Sequence, residues 1–127
     1  MAKGKVLVID DDRNIAELLW SILRDAGFEV ELALDGYSGV AAAARARPDV
    51  ILLDMQMPAG GGESVLARLA GNDLTKAIPV FLCTSLTEVE IRARVPKGAV
   101  FAGVFFKPLD LKAVVRRVTE TVEKRAG

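Results

Sequence analysis

The chain contains no histidine. That absence excludes a serine–histidine–aspartate triad, a histidine metal site and a phosphohistidine carrier. A single cysteine, Cys83, excludes an internal disulfide. It sits inside the apolar run Val80-Phe81-Leu82-Cys83, where it reads as a small buried hydrophobe and suits a reducing, cytoplasmic compartment. No apolar run is long enough to span a bilayer. Met1 to Lys5 leads straight into an apolar run, Val6 to Ile9, that ends in acids, so no signal peptide is expected. There is no excess charge of either sign: 17 basic residues balance 17 acidic ones, and no global field favours nucleic acid or an anionic membrane. What is present is 127 residues, 51% of them hydrophobic, a size suited to one domain around one core.

Short apolar runs recur, and each ends in a polar residue. Val6 to Ile9 leads to Asp10-Asp11-Asp12, and Val50 to Leu53 leads to Asp54. Val80 to Cys83 leads to Thr84, and Val104 to Phe106 leads to Lys107-Pro108. Runs of this kind read as strands buried on both faces. Between them lie helical stripes. Residues 13 to 26 carry Ile15, Leu18, Leu19, Ile22 and Leu23, with Asp12 as N-cap and Gly27 as stop. Residues 28 to 33 alternate as a more exposed strand, and Asp35-Gly36 makes a turn. Tyr37 to Arg47 is an alanine-rich helix ended by Pro48. A glycine loop, with Pro58 fixing it and Gly60 to Gly62 letting it turn, precedes a short helix over 63 to 70. The remaining pattern predicts a strand over 78 to 83, a short helix over 87 to 95 cut by Pro96-Lys97-Gly98, a strand over 101 to 106 and a helix over 109 to 124. Strict alternation gives (βα)₅, an α/β doubly wound parallel sheet with helices on both faces. Residues 1–127 form one domain in this reading, with no output domain.

In such a sheet the carboxyl ends of the strands line the ligand crevice. Asp10, Asp11, Asp54, Thr84 and Lys107 therefore converge on one edge. Adjacent carboxylates repel one another unless a cation binds, and Mg²⁺ takes one or two carboxylates while keeping waters and a phosphate. Asp54 ends the most hydrophobic strand, where a carboxylate can act as a nucleophile and become an aspartyl phosphate. A hydroxyl and an ammonium bind phosphoryl oxygens. Taken singly, Asp12 is a cap, Thr84 a strand end and Lys107 a solvated lysine; the group of four strand ends carries the reading. The bond before Pro108 is open to either isomer.

These residues resemble a response-regulator receiver domain of two-component signalling, close to the single-domain chemotaxis type. The resemblance rests on Val6-Leu7-Val8-Ile9-Asp10-Asp11-Asp12, Asp54 with Met57-Pro58 and Gly62, Thr84-Ser85, Lys107-Pro108 and Asp35-Gly36, and it covers the whole chain. It implies a flavodoxin-like sheet of order 2-1-3-4-5. It implies that Asp10 and Asp11 hold Mg²⁺, that Asp54 is phosphoacceptor and metal ligand, and that the Gln56 backbone carbonyl completes the metal shell. Thr84 and Lys107 would bind phosphoryl oxygens. The implied donor is a phosphohistidine on a histidine kinase or phosphotransfer protein. A downstream protein would dock on the fourth helix, fifth strand and last helix, without nucleic acid or membrane. The protein would be a switch that gains and loses its own phosphoryl group, not a turnover enzyme.

Three features depart from the family. Val104 stands where an aromatic residue is frequent, and Phe105 should point to the opposite face. Pro96 and Gly98 shorten the fourth helix and remodel residues 86 to 102. Leu86, two residues after Thr84, and Gln56, two after Asp54, stand where the resemblance implies residues that border the phosphoryl group and tune its lifetime; Leu86 is apolar and cannot orient an attacking water, so slow self-dephosphorylation is expected relative to a glutamate there.

Two other functions compete. A phosphatase of the haloacid dehalogenase type also begins with a strand and Asp-x-Asp, here Asp10 to Asp12. Against it, Arg13-Asn14 follow, Asp110 stands alone after Lys107, and there is no room for a cap. A degenerate receiver serving as a constitutive interaction module is favoured only by Val104 and the 86–102 segment.

Overall fold

Every strand is followed by a helix. The computed structural model describes residues 2–57 and 61–127. The elements are β1 (Lys5–Ile9), α1 (Arg13–Asp25), β2 (Glu29–Ala33), α2 (Gly36–Ala46), β3 (Val50–Asp54), α3 (Gly61–Ala70), β4 (Val80–Thr84), α4 (Glu88–Arg94), β5 (Gly103–Phe106) and α5 (Leu111–Ala126). The strands pair in parallel in the order β2-β1-β3-β4-β5, as the resemblance implies.

The continuous apolar runs are explained by a sheet covered on both faces. Leu7, Ile9, Ile51, Leu53, Val80 and Leu82 pack in one core with Ala42, Ala43, Val65, Leu66, Leu69 and Ile91 of α2, α3 and α4. Val6, Val8, Val50, Leu52, Phe81, Cys83 and Phe105 pack in the other with Ala16, Leu19, Leu23, Val114, Val118 and Val122 of α1 and α5. Each large buried side chain stabilises the fold by about 1.5–3 kcal/mol relative to exposure.

Local signals set the helix ends. The Asp12 carboxylate accepts from the N–H groups of Asn14 and Ile15, and Asp110 accepts from Ala113. Caps of this kind each stabilise by about 1 kcal/mol. Thr87 and Glu90 form a reciprocal capping box that starts α4, and Val95-Pro96 ends it. Gly27, at φ +103°, follows the end of α1.

Some boundaries differ from the sequence pattern. β4 starts at Val80 rather than Ile78, because Pro79 offers no N–H and residues 73–77 fold as turns. The buried Thr75 hydroxyl fixes those turns by donating to Leu69 O at 2.7 Å. β5 starts at Gly103, leaving Phe101 outside the strand, and α5 starts after its Asp110 cap rather than at Leu109. α3 begins at Gly61, so part of the glycine loop is helix. The expected roles of Pro58 and Gly60 lie outside the described residues.

Candidate functional site

The parallel ladder runs one residue past the strands and fixes the site in register. The Asp10 N–H donates to Ala33 O at 3.0 Å, Met55 N–H to Cys83 O at 3.2 Å, and Lys107 N–H to Thr84 O at 2.8 Å. Asp10, Asp54 and Thr84 are thereby buried at the carboxyl edge of the sheet, and Asp11 stays exposed beside them.

One carboxylate oxygen from each of Asp10, Asp11 and Asp54 lies within 4.8 Å of the others. The Lys107 ammonium approaches from the end of β5. Its Nζ is 3.5 Å from Asp54 Oδ1 and 3.9 Å from Asp10 Oδ2. The Lys107–Pro108 bond is cis. Three carboxylates face one ammonium, so negative charge is in excess.

Asp10 shows the strain of that excess. Its Oδ1 accepts the Asp12 N–H at 2.9 Å, but its buried Oδ2 has no hydrogen-bond partner among the described residues. Burial, opposed by the Asp12 N–H and reinforced by the Asp54 charge, pushes the Asp10 carboxyl up to about 6. A buried oxygen acceptor without a donor, in an acidic cluster open to solvent at Asp11, fits a hard divalent cation such as Mg²⁺. Below the site, burial pushes the Cys83 thiol up to about 12, so it is a packing group and not a nucleophile.

Asp54 is anchored by the Gln56 N–H, which donates to its Oδ1 at 2.9 Å. Thr84 Oγ1 accepts the Leu86 N–H at 3.0 Å and donates toward Gln56 Oε1 at 3.5 Å. That same Oε1 accepts from Ser85 N at 3.0 Å and Ser85 Oγ at 2.7 Å. Thus Asp10, Asp11, Asp54 and Lys107 form one charged group, and Thr84 stands at its edge, engaged elsewhere. The sequence marks Gln56 by its place two residues after Asp54 and Ser85 by its place beside Thr84, but nothing in it announces the contact between them. Leu86 turns its side chain into the core, and only its N–H serves the site.

On β5 the expected alternation holds. Phe105 stacks on Phe81 with ring centroids 5.1 Å apart, on the α1 and α5 side. Val104 packs toward the opposite core and lines a groove of about 340 Å³ with Ile91, Phe101 and Phe106, rimmed by Glu88 and Arg92. Among the described residues no helix is long and apolar enough to cross a membrane.

Comparison with known proteins agrees with this geometry. The family model described as "Response regulator receiver domain" matches residues 6–119. The DNA-binding dual master transcriptional regulator RpaA of Synechocystis sp. is 35% identical over 115 residues, covering 90% of this chain and 47% of RpaA. The transcriptional regulatory protein PrrA of Mycobacterium leprae is 36% identical over 128 residues, covering 100% of this chain and 53% of PrrA. The chain therefore spans about half the length of the curated relatives it matches. Among solved structures, the Vibrio cholerae chemotaxis protein CheY4 superposes with a TM-score of 0.84 at 31% identity, covering 95% of this chain and 98% of that one.

Proposed function

The chain belongs to the response regulator receiver domain family, a family of phosphorylation-dependent signalling switches, and on that premise we propose that Asp54 is its phosphoacceptor. The donor is a phosphohistidine on a histidine kinase or phosphotransfer protein. The observation that carries this reading is the grouping of Asp10, Asp11 and Asp54 within 4.8 Å, with Lys107 Nζ 3.5 Å from Asp54.

In the transfer an Asp54 carboxylate oxygen forms a bond to phosphorus as the nitrogen–phosphorus bond of the donor breaks, and the electron pair leaves with the imidazole. The product is an acyl phosphate. Asp10, Asp11, Asp54 and the Gln56 backbone carbonyl would hold Mg²⁺, which when bound offsets the charge of the carboxylates and the phosphoryl oxygens. The Gln56 N–H keeps Asp54 oriented through Oδ1. Lys107, already beside that carboxylate, pairs with a phosphoryl oxygen once charge develops there. The Thr84 hydroxyl is placed to turn from Gln56 to a second phosphoryl oxygen.

The switch turns over no substrate of its own. Its output is a protein partner docked on α4, β5 and α5, where Phe101, Val104 and Phe106 line the groove. The partner-facing aromatic switch of other receivers has no counterpart at Val104. Residues 1–127 act in this reading as one cytoplasmic receiver domain that signals through protein contacts rather than through nucleic acid.

Incubation with Mg²⁺ and acetyl phosphate tests the reading. A labile adduct that is absent in Asp54→Asn supports it. Turnover of a phosphate ester that depends on Asp10 would instead support a phosphatase. Absence of any adduct would leave a degenerate interaction module.

A further inference from the structure

The Thr84 hydroxyl has one proton to give. In the structure it is directed at Gln56 Oε1, at 3.5 Å, while Oγ1 accepts from the Leu86 N–H. The same Gln56 oxygen accepts both donors of Ser85, at 3.0 and 2.7 Å. One side-chain carbonyl thus ties the loop after β3 to three consecutive donors at the junction of β4 and α4. The backbone of the same residue holds the Asp54 carboxylate through its N–H.

We propose that the Gln56 side chain is a positioning residue that clasps Thr84 and Ser85 in the unphosphorylated arrangement, in competition with the phosphoryl group. This rests on the reading of Asp54 as phosphoacceptor and adds a role for a side chain that reading does not use. A phosphoryl oxygen on Asp54 can take the Thr84 proton only if Gln56 gives it up. Movement of Thr84 toward the phosphoryl group would draw its chain neighbour Ser85 off the same oxygen, and with it the turn that leads into the Thr87 cap of α4. The clasp therefore opposes activation, and the strength of its hydrogen bonds sets part of the gap between the two states. Gln56 and Ser85 are exposed, so the clasp is weak enough to break, worth roughly three- to tenfold in an equilibrium constant.

Binding of beryllium fluoride with Mg²⁺ and amide exchange at Ser85 test the clasp, with thermal stability as a folding control. Gln56→Met keeps the length of the side chain and removes the acceptor. It is expected to bind beryllium fluoride roughly three- to tenfold more tightly than wild type and to exchange the Ser85 amide faster by a similar factor. Gln56→Glu keeps the acceptor and should retain wild-type exchange at Ser85. Ser85→Ala should tighten binding in wild type and have no effect in the Gln56→Met background, which separates a clasp from a direct contact with the anion. Unchanged or weaker binding by Gln56→Met, unchanged Ser85 exchange, or additive effects of the two substitutions would overturn the proposal. Asp54→Asn is the control for the underlying reading: no complex even in wild type would overturn that reading, and the clasp with it.

Discussion

The Lys107 ammonium stands 3.5 Å from Asp54 Oδ1, joining the end of an edge strand to the end of the central one. Among the described residues it is the cation within 4.0 Å of the buried carboxylates of Asp10 and Asp54. Removing it leaves those charges uncompensated. In Mg²⁺-free buffer, Lys107→Met is expected to lower the unfolding free energy by about 1–3 kcal/mol, measured by urea denaturation. Added Mg²⁺ should recover part of the loss, since an ion bound only to the folded state stabilises it. A variant as stable as wild type without Mg²⁺ would show that the ammonium does not balance the cluster.

Asp10 predicts an unusual pH dependence. Its carboxyl titrates at about 6 in the fold against 3.8 for the free residue, chiefly through burial. Between those values the folded state keeps a proton that the unfolded state has lost. Stability contributed by this group therefore falls as pH rises from about 4 to 6 and stays lowered above. Asp10→Asn should match wild type near pH 4 and exceed it in melting temperature at pH 7.5, in metal-free buffer. An equal gap at both pH values contradicts the assignment.

The close approach of α3 to the end of β3 depends on Gly62. A Cβ there would lie 2.7 Å from Met55 Cα and 2.8 Å from Asp54 O, both backbone atoms that cannot yield cheaply. Gly62→Ala is expected to cost about 1–3 kcal/mol. At Gly71 the nearest neighbour of such a Cβ is 3.4 Å away, so Gly71→Ala should be neutral or slightly stabilising. Chemical denaturation of the two variants compares them directly.

The two faces of β5 should respond unequally to substitution. Phe105 is buried against Phe81, and Phe105→Ala is expected to cost about 3–5 kcal/mol. Val104 borders the groove of about 340 Å³, and Val104→Tyr should change stability by less than about 1.5 kcal/mol. Comparable losses at the two positions would show that the groove does not accept a larger side chain.

The alternation of buried strand and amphipathic helix was legible because the apolar runs are short and end in polar residues, and because four of the strands are followed by a capping residue: Asp12, Asp35, Thr87 and Asp110. The charged group was legible for the same reason, since parallel strands align their ends and carry Asp10, Asp54, Thr84 and Lys107 to one edge. Boundaries failed where a side chain outside the periodic pattern decided them, as with Pro79 and the Thr75 hydroxyl ahead of β4. The expectation for Leu86 also changes. Its side chain belongs to the core, so a glutamate there must leave the core before it can orient water near Asp54. The contact of Gln56 with Ser85 spans 29 residues and has no sequence signature, because a polar side chain in a loop announces no partner.

The central claim is that Asp54 accepts a phosphoryl group in a cleft that requires a divalent cation. Intact-mass measurement after exposure to acetyl phosphate, with peptide mapping of the adduct, tests it most directly. The expected result is a single added phosphoryl group on the peptide containing Asp54, formed with Mg²⁺, absent with EDTA and absent in Asp54→Asn. A phosphoryl group that maps to another residue, or that persists in Asp54→Asn, would contradict the account.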